Sequence, residues 1–254
     1  MEKKVVEKKK FLVEVAWETC NQVGGIYTVI RTKVPSMVEK WGEDYLLLGP
    51  YFPQTAAAEF EALPVTEDTP VERAILAMRE KGLQVHYGNW LITGKPKIVL
   101  FDIASMYDQV DEIKGRIWDN HKISTLGVEE LVNQTIALGE LIRIFLSNLA
   151  TENKSKKDIV VHFHEWMAST CLPDLKKEKV KISTVFTTHA TMLGRYLAGN
   201  VPNFYDVLDT FDWHKEAVHY GIEAQASFER AAAQKADVLT TVSDITAKEC
   251  VAFL

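Results

Sequence analysis

Cysteine is scarce in this chain and badly placed for cross-linking. The 254 residues include three, Cys20, Cys171 and Cys250, odd in number and far apart. That usage fits reduced thiols in the cytoplasm better than a disulfide framework or a zinc site. Positive charge is also in deficit. Lys and Arg total 29 against 35 Asp and Glu, a net charge of −6. Without a basic excess to neutralise phosphates, nucleic acid is not the expected partner. No apolar run approaches the ~20 residues of a membrane span, so no membrane partner is expected either. Lys3, Lys4, Lys8, Lys9 and Lys10 resemble the start of a signal peptide, but the apolar run that follows is short and broken by Glu14. Residues 1–10 therefore read as a basic tail, not a leader. Several catalytic signatures are missing: the Gly-x-Gly-x-x-Gly fingerprint, a Walker A loop, a Gly-x-Ser-x-Gly elbow and His-Glu-x-x-His.

What is present is an alternation of strands and helices. Strands are predicted at Phe11–Ala16, Tyr45–Leu48, Gln84–Tyr87, Lys97–Phe101, Asp158–Phe163, Ile182–Thr188 and Val238–Val242. Helical spacing of apolar residues covers Ile26–Trp41, Val71–Lys81, Val128–Leu149 and His214–Lys235. Pro35 predicts a kink or break in the first of these. Residues 51–70, rich in Pro, Ala and acids, read as irregular. Ser243 is the expected cap of a last helix that runs to Leu254 without a stop signal, as in a segment cut from a longer protein. The alternation implies an α/β fold with a mostly parallel, doubly wound sheet.

Three constellations carry chemistry. Gln22-Val23-Gly24-Gly25-Ile26 joins the first strand to the first helix. Paired glycines let a ligand approach the backbone, and the helix end offers unpaired N–H groups to a phosphate. A tight turn that binds nothing explains the same residues. His162-Phe163-His164-Glu165-Trp166 ends a strand, with both histidines on one side. These residues suit a metal, contacts to sugar hydroxyls, or hydrogen bonds that support the neighbouring loops, but no third ligand lies nearby in sequence. Finally, His189 ends a strand and Arg195 follows six residues later. A guanidinium there suits a diphosphate bidentately, or pairs with a carboxylate such as Asp206 or Asp209.

In order along the chain, Glu18-x-x-Asn21-x-Val23-Gly-Gly-Ile-Tyr-Thr-Val-Ile30, Tyr87-Gly-Asn-Trp-Leu-Ile92, Pro96–Asp102, His162–Trp166, Phe186–Leu197, Glu229–Ala233 and Ala236–Ser243 resemble glycogen synthases of the animal and fungal type. The resemblance spans nearly all of residues 11–254. It implies a retaining glucosyltransferase that extends α-1,4-glucan (glycogen) from UDP-glucose, with no metal or other cofactor. It implies the N-terminal Rossmann-like domain of a GT-B enzyme, with the C-terminal nucleotide-binding domain absent from residues 11–254. That missing domain would be a partner, and the full-length enzyme a possible homo-oligomer in the cytoplasm.

By the resemblance, His189 meets the donor sugar, Arg195 meets the phosphates, and Gln22, Gly24 and Gly25 form the loop that approaches the diphosphate. His162, His164 and Glu165 contact sugar or support loops. Gln22 stands where family members usually carry Lys or Arg, which weakens the phosphate contact or signals a changed preference such as ADP-glucose. The alternatives are an ADP-glucose-dependent synthase, an epimerase of similar architecture, and a non-catalytic glucan-binding module.

Overall fold

The computed structural model describes residues 9–154 and 157–254. Most of the tail expected over 1–10 lies outside these. Lys10 is already the first residue of strand β1 (Lys10–Ala16). The other strands are β2 (Tyr45–Pro50), β3 (Phe60–Ala62), β4 (Val85–Trp90), β5 (Lys97–Phe101), β6 (Asp158–His164), β7 (Ser183–Thr188) and β8 (Val238–Thr241). They form one sheet in the order β3-β4-β5-β2-β1-β6-β7-β8. Only the pairs made by β4 are antiparallel; the rest are parallel. The α/β, doubly wound expectation therefore holds.

The chain moves outward from β1 through β2 in one direction and resumes on β1's other side with β6. The carboxyl ends of β1 and β6 thus flank the point where the winding reverses, the place where open α/β sheets bind ligands.

Apolar alternation on the strands buries both faces. Leu12, Leu47, Ile98 and Leu100 pack with Ile26, Ile30 and Val34 of helix α1 (Gly25–Trp41). Val13, Val15, Leu46, Leu48 and Val99 face the larger core. That core is closed by α3 (Pro70–Arg79), α4 (Val110–His121) and α5 (Glu130–Glu152). Val132, Ile136, Leu138, Leu141, Ile142, Phe145 and Leu149, which follow the helical spacing expected there, are all buried in α5.

Some expectations need correction. Helix α1 runs unbroken through Pro35, because Ile30 and Val34 before it and Met37 and Val38 after it rest on the same face of the sheet. Residues 51–70 are not wholly irregular: α2 (Pro53–Glu59) leads into β3, and Glu59 anchors the turn by accepting hydrogen bonds from Tyr27 Oη (2.6 Å) and Trp90 Nε1 (2.8 Å). The helix expected over 214–235 is two helices, α9 (Trp213–His219) and α10 (Glu223–Lys235), because Gly221 at φ 68° turns the chain between them. The remaining helices are α6 (Glu165–Ser169), α7 (Leu172–Lys177), α8 (Met192–Asn200) and α11 (Asp244–Phe253), the last capped by Ser243 as expected. Cys20, Cys171 and Cys250 are free and buried.

Gly88 sits mid-strand in β4, where a Cβ would lie 2.1 Å from the Glu61 carbonyl oxygen of β3. Gly88→Ala should lower stability by about 2–3 kcal/mol. Gly115→Ala, on the exposed side of α4 with nothing within 4 Å, should raise it by up to about 1 kcal/mol. Urea midpoints of the two variants check the contrast.

Candidate functional site

Glycines 24 and 25 sit at the start of α1, directly after β1. Gly24 is the N-cap, in ordinary extended backbone at φ −151°. A Cβ at Gly25 would meet nothing within 4 Å. Neither backbone strain nor internal packing requires glycine at 25; what its absence of a side chain leaves is room in front of a helix end. Two of the amides there are already used. The Glu18 carboxylate accepts from Gly24 N–H (2.6 Å) and Tyr27 N–H (2.9 Å). Gly25 and Ile26 retain the amides free to meet a ligand.

Across the winding reversal, β6 delivers Glu165. Its φ of 65° lies in the left-handed region that disfavours side chains, at the strand-to-helix junction. The carboxylate is buried, and it accepts from His189 N–H (2.8 Å) and lies 3.4 Å from the Arg195 guanidinium. Burial pushes the Glu165 carboxyl above its usual range, opposed by Arg195 and the backbone donors. The carboxylate thus ties down the loop after β7 and one end of α8.

Arg195 pairs with Glu165 and not with Asp206 or Asp209. Its side chain is half exposed, so the head can leave Glu165 for another anion. His189 is lowered in pKa by burial and then by the nearby cations, and is a neutral imidazole at pH 7. The glycine of the Leu193-Gly194-Arg195 segment has a packing cause: a Cβ at Gly194 would sit 2.1 Å from Glu249 Oε2, the carboxylate that accepts from Thr191 Oγ1 (2.8 Å) at the N-cap of α8.

Gly24, Gly25, Glu165, His189 and Arg195 line one open cleft of about 610 Å³. Gln22 is exposed on the approach to α1 and does not line it. His162 and His164 lie behind the cleft, on the face of the sheet that α1 covers. There they meet Glu14, which β1–β6 pairing places opposite His162. Glu14 Oε1 is 3.3 Å from His162 Nδ1 and 3.4 Å from His164 Nε2, and its carboxylate also receives Lys33 Nζ and Tyr45 Oη. So a third potential ligand does exist, one that sequence proximity could not reveal. Glu14, His162 and His164 are the one group of metal-ligand type among the described residues. Lys33 already neutralises the carboxylate, however, and competes with any cation for it.

Sequence reasoning noticed Glu14 only as an interruption of an apolar strand; that interruption was the available signal. It missed Glu18, Glu229 and Glu249 as loop anchors. The cleft is also less basic than a histidine and an arginine suggest, since Glu18, Glu129 and Glu165 line it as well.

The glycogen synthase family model matches residues 14–254. Over 242 residues the chain is 41% identical to a glycogen [starch] synthase of Neurospora crassa, with 95% of this chain and 34% of the relative covered. It is 43% identical over 238 residues to the liver glycogen [starch] synthase of Mus musculus and 42% identical over 247 residues to isoform 1 of Saccharomyces cerevisiae, covering 94% of this chain and 34% and 35% of those relatives. The chain therefore spans about a third of the length of these curated relatives. Among solved structures, the α,α-trehalose 6-phosphate synthase from Burkholderia multivorans aligns at 9% identity and a TM-score of 0.40, covering 96% of this chain and 41% of that one.

Behind α8, Glu229 is fully enclosed, accepting from Thr188 Oγ1 (2.8 Å) and Met192 N–H (2.8 Å). Burial pushes its carboxyl up to about 8, against the pull of the Met192 amide. The folded protein holds this proton more tightly than the unfolded chain, so stability from this group is complete below the ordinary carboxyl range. It falls as pH rises, until about 8. Glu229→Gln keeps the shape and cannot ionise. Its unfolding free energy should lose that downward slope and exceed the parent's at pH 8, as denaturant titrations across pH would show.

Proposed function

The chain belongs to the glycogen synthase family, and on that premise we propose that it forms one wall of a glucosyl-transfer site. The reaction is transfer of glucose from UDP-glucose to the non-reducing end of an α-1,4-glucan with retention. The observation that carries this reading is the cleft at the winding reversal, where a glycine-opened helix end, a neutral histidine and a half-exposed arginine face one another.

Breaking the bond between glucose C1 and the diphosphate oxygen places negative charge on the leaving group. Donors already fixed in position stabilise such charge without reorganising. Arg195 and the Gly25 and Ile26 amides are aimed at that task. Neutral His189 suits a sugar hydroxyl better than a phosphate. Glu165 holds both in register. The cleft's three carboxylates mean that Arg195 alone does not neutralise a diphosphate. We therefore assign further positive charge to the opposite wall, a second Rossmann-like domain completing a GT-B enzyme. No metal is needed in this scheme.

In the full-length enzyme, Arg195→Ala should lower kcat/KM for UDP-glucose by about a hundredfold or more; wild-type turnover in that variant would refute the assignment. Gly25→Ala should leave thermal stability nearly unchanged while weakening UDP binding by about tenfold, read by calorimetric titration. The uncharged, exposed Gln22 makes ADP-glucose the competing donor, and side-by-side incorporation of the two sugars into glycogen decides between them.

A further inference from the structure

Behind the cleft, a buried charge is wired to His189. We propose that Glu14 and His164 are positioning residues that fix the tautomer of His189, so that its Nδ1 is presented to the cleft as a hydrogen-bond acceptor for a sugar hydroxyl. The role assigned to the sugar rests on the glucosyl-transfer reading; the tautomer itself does not.

Geometry gives the connection. His164 Nε2 lies 3.4 Å from Glu14 Oε1, and His164 Nδ1 lies 3.3 Å from His189 Nε2. The three groups come from β1, the end of β6 and the loop after β7, three strands that neighbour one another inside the sheet.

Charge gives the direction. An ionised carboxylate only accepts hydrogen bonds. Burial alone would raise the Glu14 carboxyl, but hydrogen bonds from both histidines and the Lys33 charge override it and hold the group ionised. His164, 2% exposed, is kept neutral by that same burial. It therefore carries one N–H. Two charges compete for its Nε2, since Lys33 Nζ is also 3.4 Å away. The carboxylate side chain is 1% exposed and the lysine 29% exposed. Lys33 Nζ is engaged in close contact with Glu14 itself, and the carboxylate is the more deeply buried of the two, so the carboxylate sets the orientation.

His164 Nε2–H then donates to Glu14, and its Nδ1 is left as an acceptor. That lone pair requires a proton on His189 Nε2. A neutral His189 protonated at Nε2 has an unprotonated Nδ1. The neighbouring histidine obeys the same logic. His162 Nδ1 faces Glu14 at 3.3 Å, and its Nε2 lies 2.6 Å from Thr187 Oγ1, which in turn lies 2.6 Å from Thr240 Oγ1. Both imidazoles face one buried carboxylate, His162 through Nδ1 and His164 through Nε2, and each sets its other ring nitrogen against a further polar group.

The test is nitrogen NMR of the chain with ring-labelled histidine, at a pH where His189 is neutral. The expected result is a protonated Nε2 and an unprotonated Nδ1 at His189. A His189 protonated at Nδ1 overturns the proposal without any variant having to fold. Glu14→Gln can offer an N–H in place of the carboxylate, and should reverse or mix the His189 tautomers; an unchanged pattern in a folded variant would also overturn it. In the full-length enzyme the same substitution should lower kcat by about tenfold while the KM for the sugar nucleotide changes by less than about threefold. A rise in KM alone counts against positioning. If the wild-type enzyme transfers no glucose, the functional reading fails, and the NMR result still decides the tautomer.

Discussion

A carboxylate buried in the middle of the central strand constrains this molecule more than any other group. Glu14 cannot be left charged in an apolar sheet without partners, and removing one partner of a buried ion pair typically costs about 3–5 kcal/mol. Its four partners come from three elements: Lys33 of α1, Tyr45 of β2, and His162 and His164 of β6. Satisfying one charge therefore fixes the position of the first helix and the register of the strands on both sides of β1. Those are the elements that meet at the winding reversal, so the geometry of the cleft is set by the same constraint.

Carboxylates do a related job at the rim. Parallel strands end in loops whose N–H groups have lost their sheet partners. Here each critical loop is held by an acid, from within the loop for Glu18 and from a distant part of the chain for Glu165, Glu229 and Glu249. Glu18 holds the glycine turn, Glu165 the His189 backbone, Glu229 the first turn of α8, and Glu249 its N-cap. A carboxylate accepts two or more such bonds at once and is rigid when buried. The consequence is electrostatic: Glu18, Glu129 and Glu165 line the cleft, and Arg195 is the one Lys or Arg among the described residues that lines it. The half-exposed guanidinium, resting on Glu165 at 3.4 Å, suits an exchange of one anion for another.

Much of this is readable in the sequence. The periodicity of Val132 to Leu149 specified a buried helix, and the apolar runs at Phe11, Tyr45, Asp158 and Ile182 specified interior strands. His189 and Arg195 stood out because they follow a strand end. The errors were local. Of the kink or break that Pro35 predicts, the break is absent, because both halves of α1 rest on one sheet face, which periodicity does not show. Helices α9 and α10 were merged because apolar spacing continues across Gly221, whose left-handed φ interrupts the backbone and not the pattern.

The sequence by itself determined the α/β class, the family, the core-facing residues and the residue types available to a ligand. These depend on short-range spacing, which the chain displays directly. Only the tertiary structure decided which residues meet. Glu14 joins His162 and His164 from almost 150 positions away because parallel strands pair across long crossovers. Gln22 falls outside the cleft while its neighbours Gly24 and Gly25 line it, because the chain turns into α1 at Gly24. Contacts between distant strand ends depend on strand order, and strand order is a property of the folded sheet that no local spacing records.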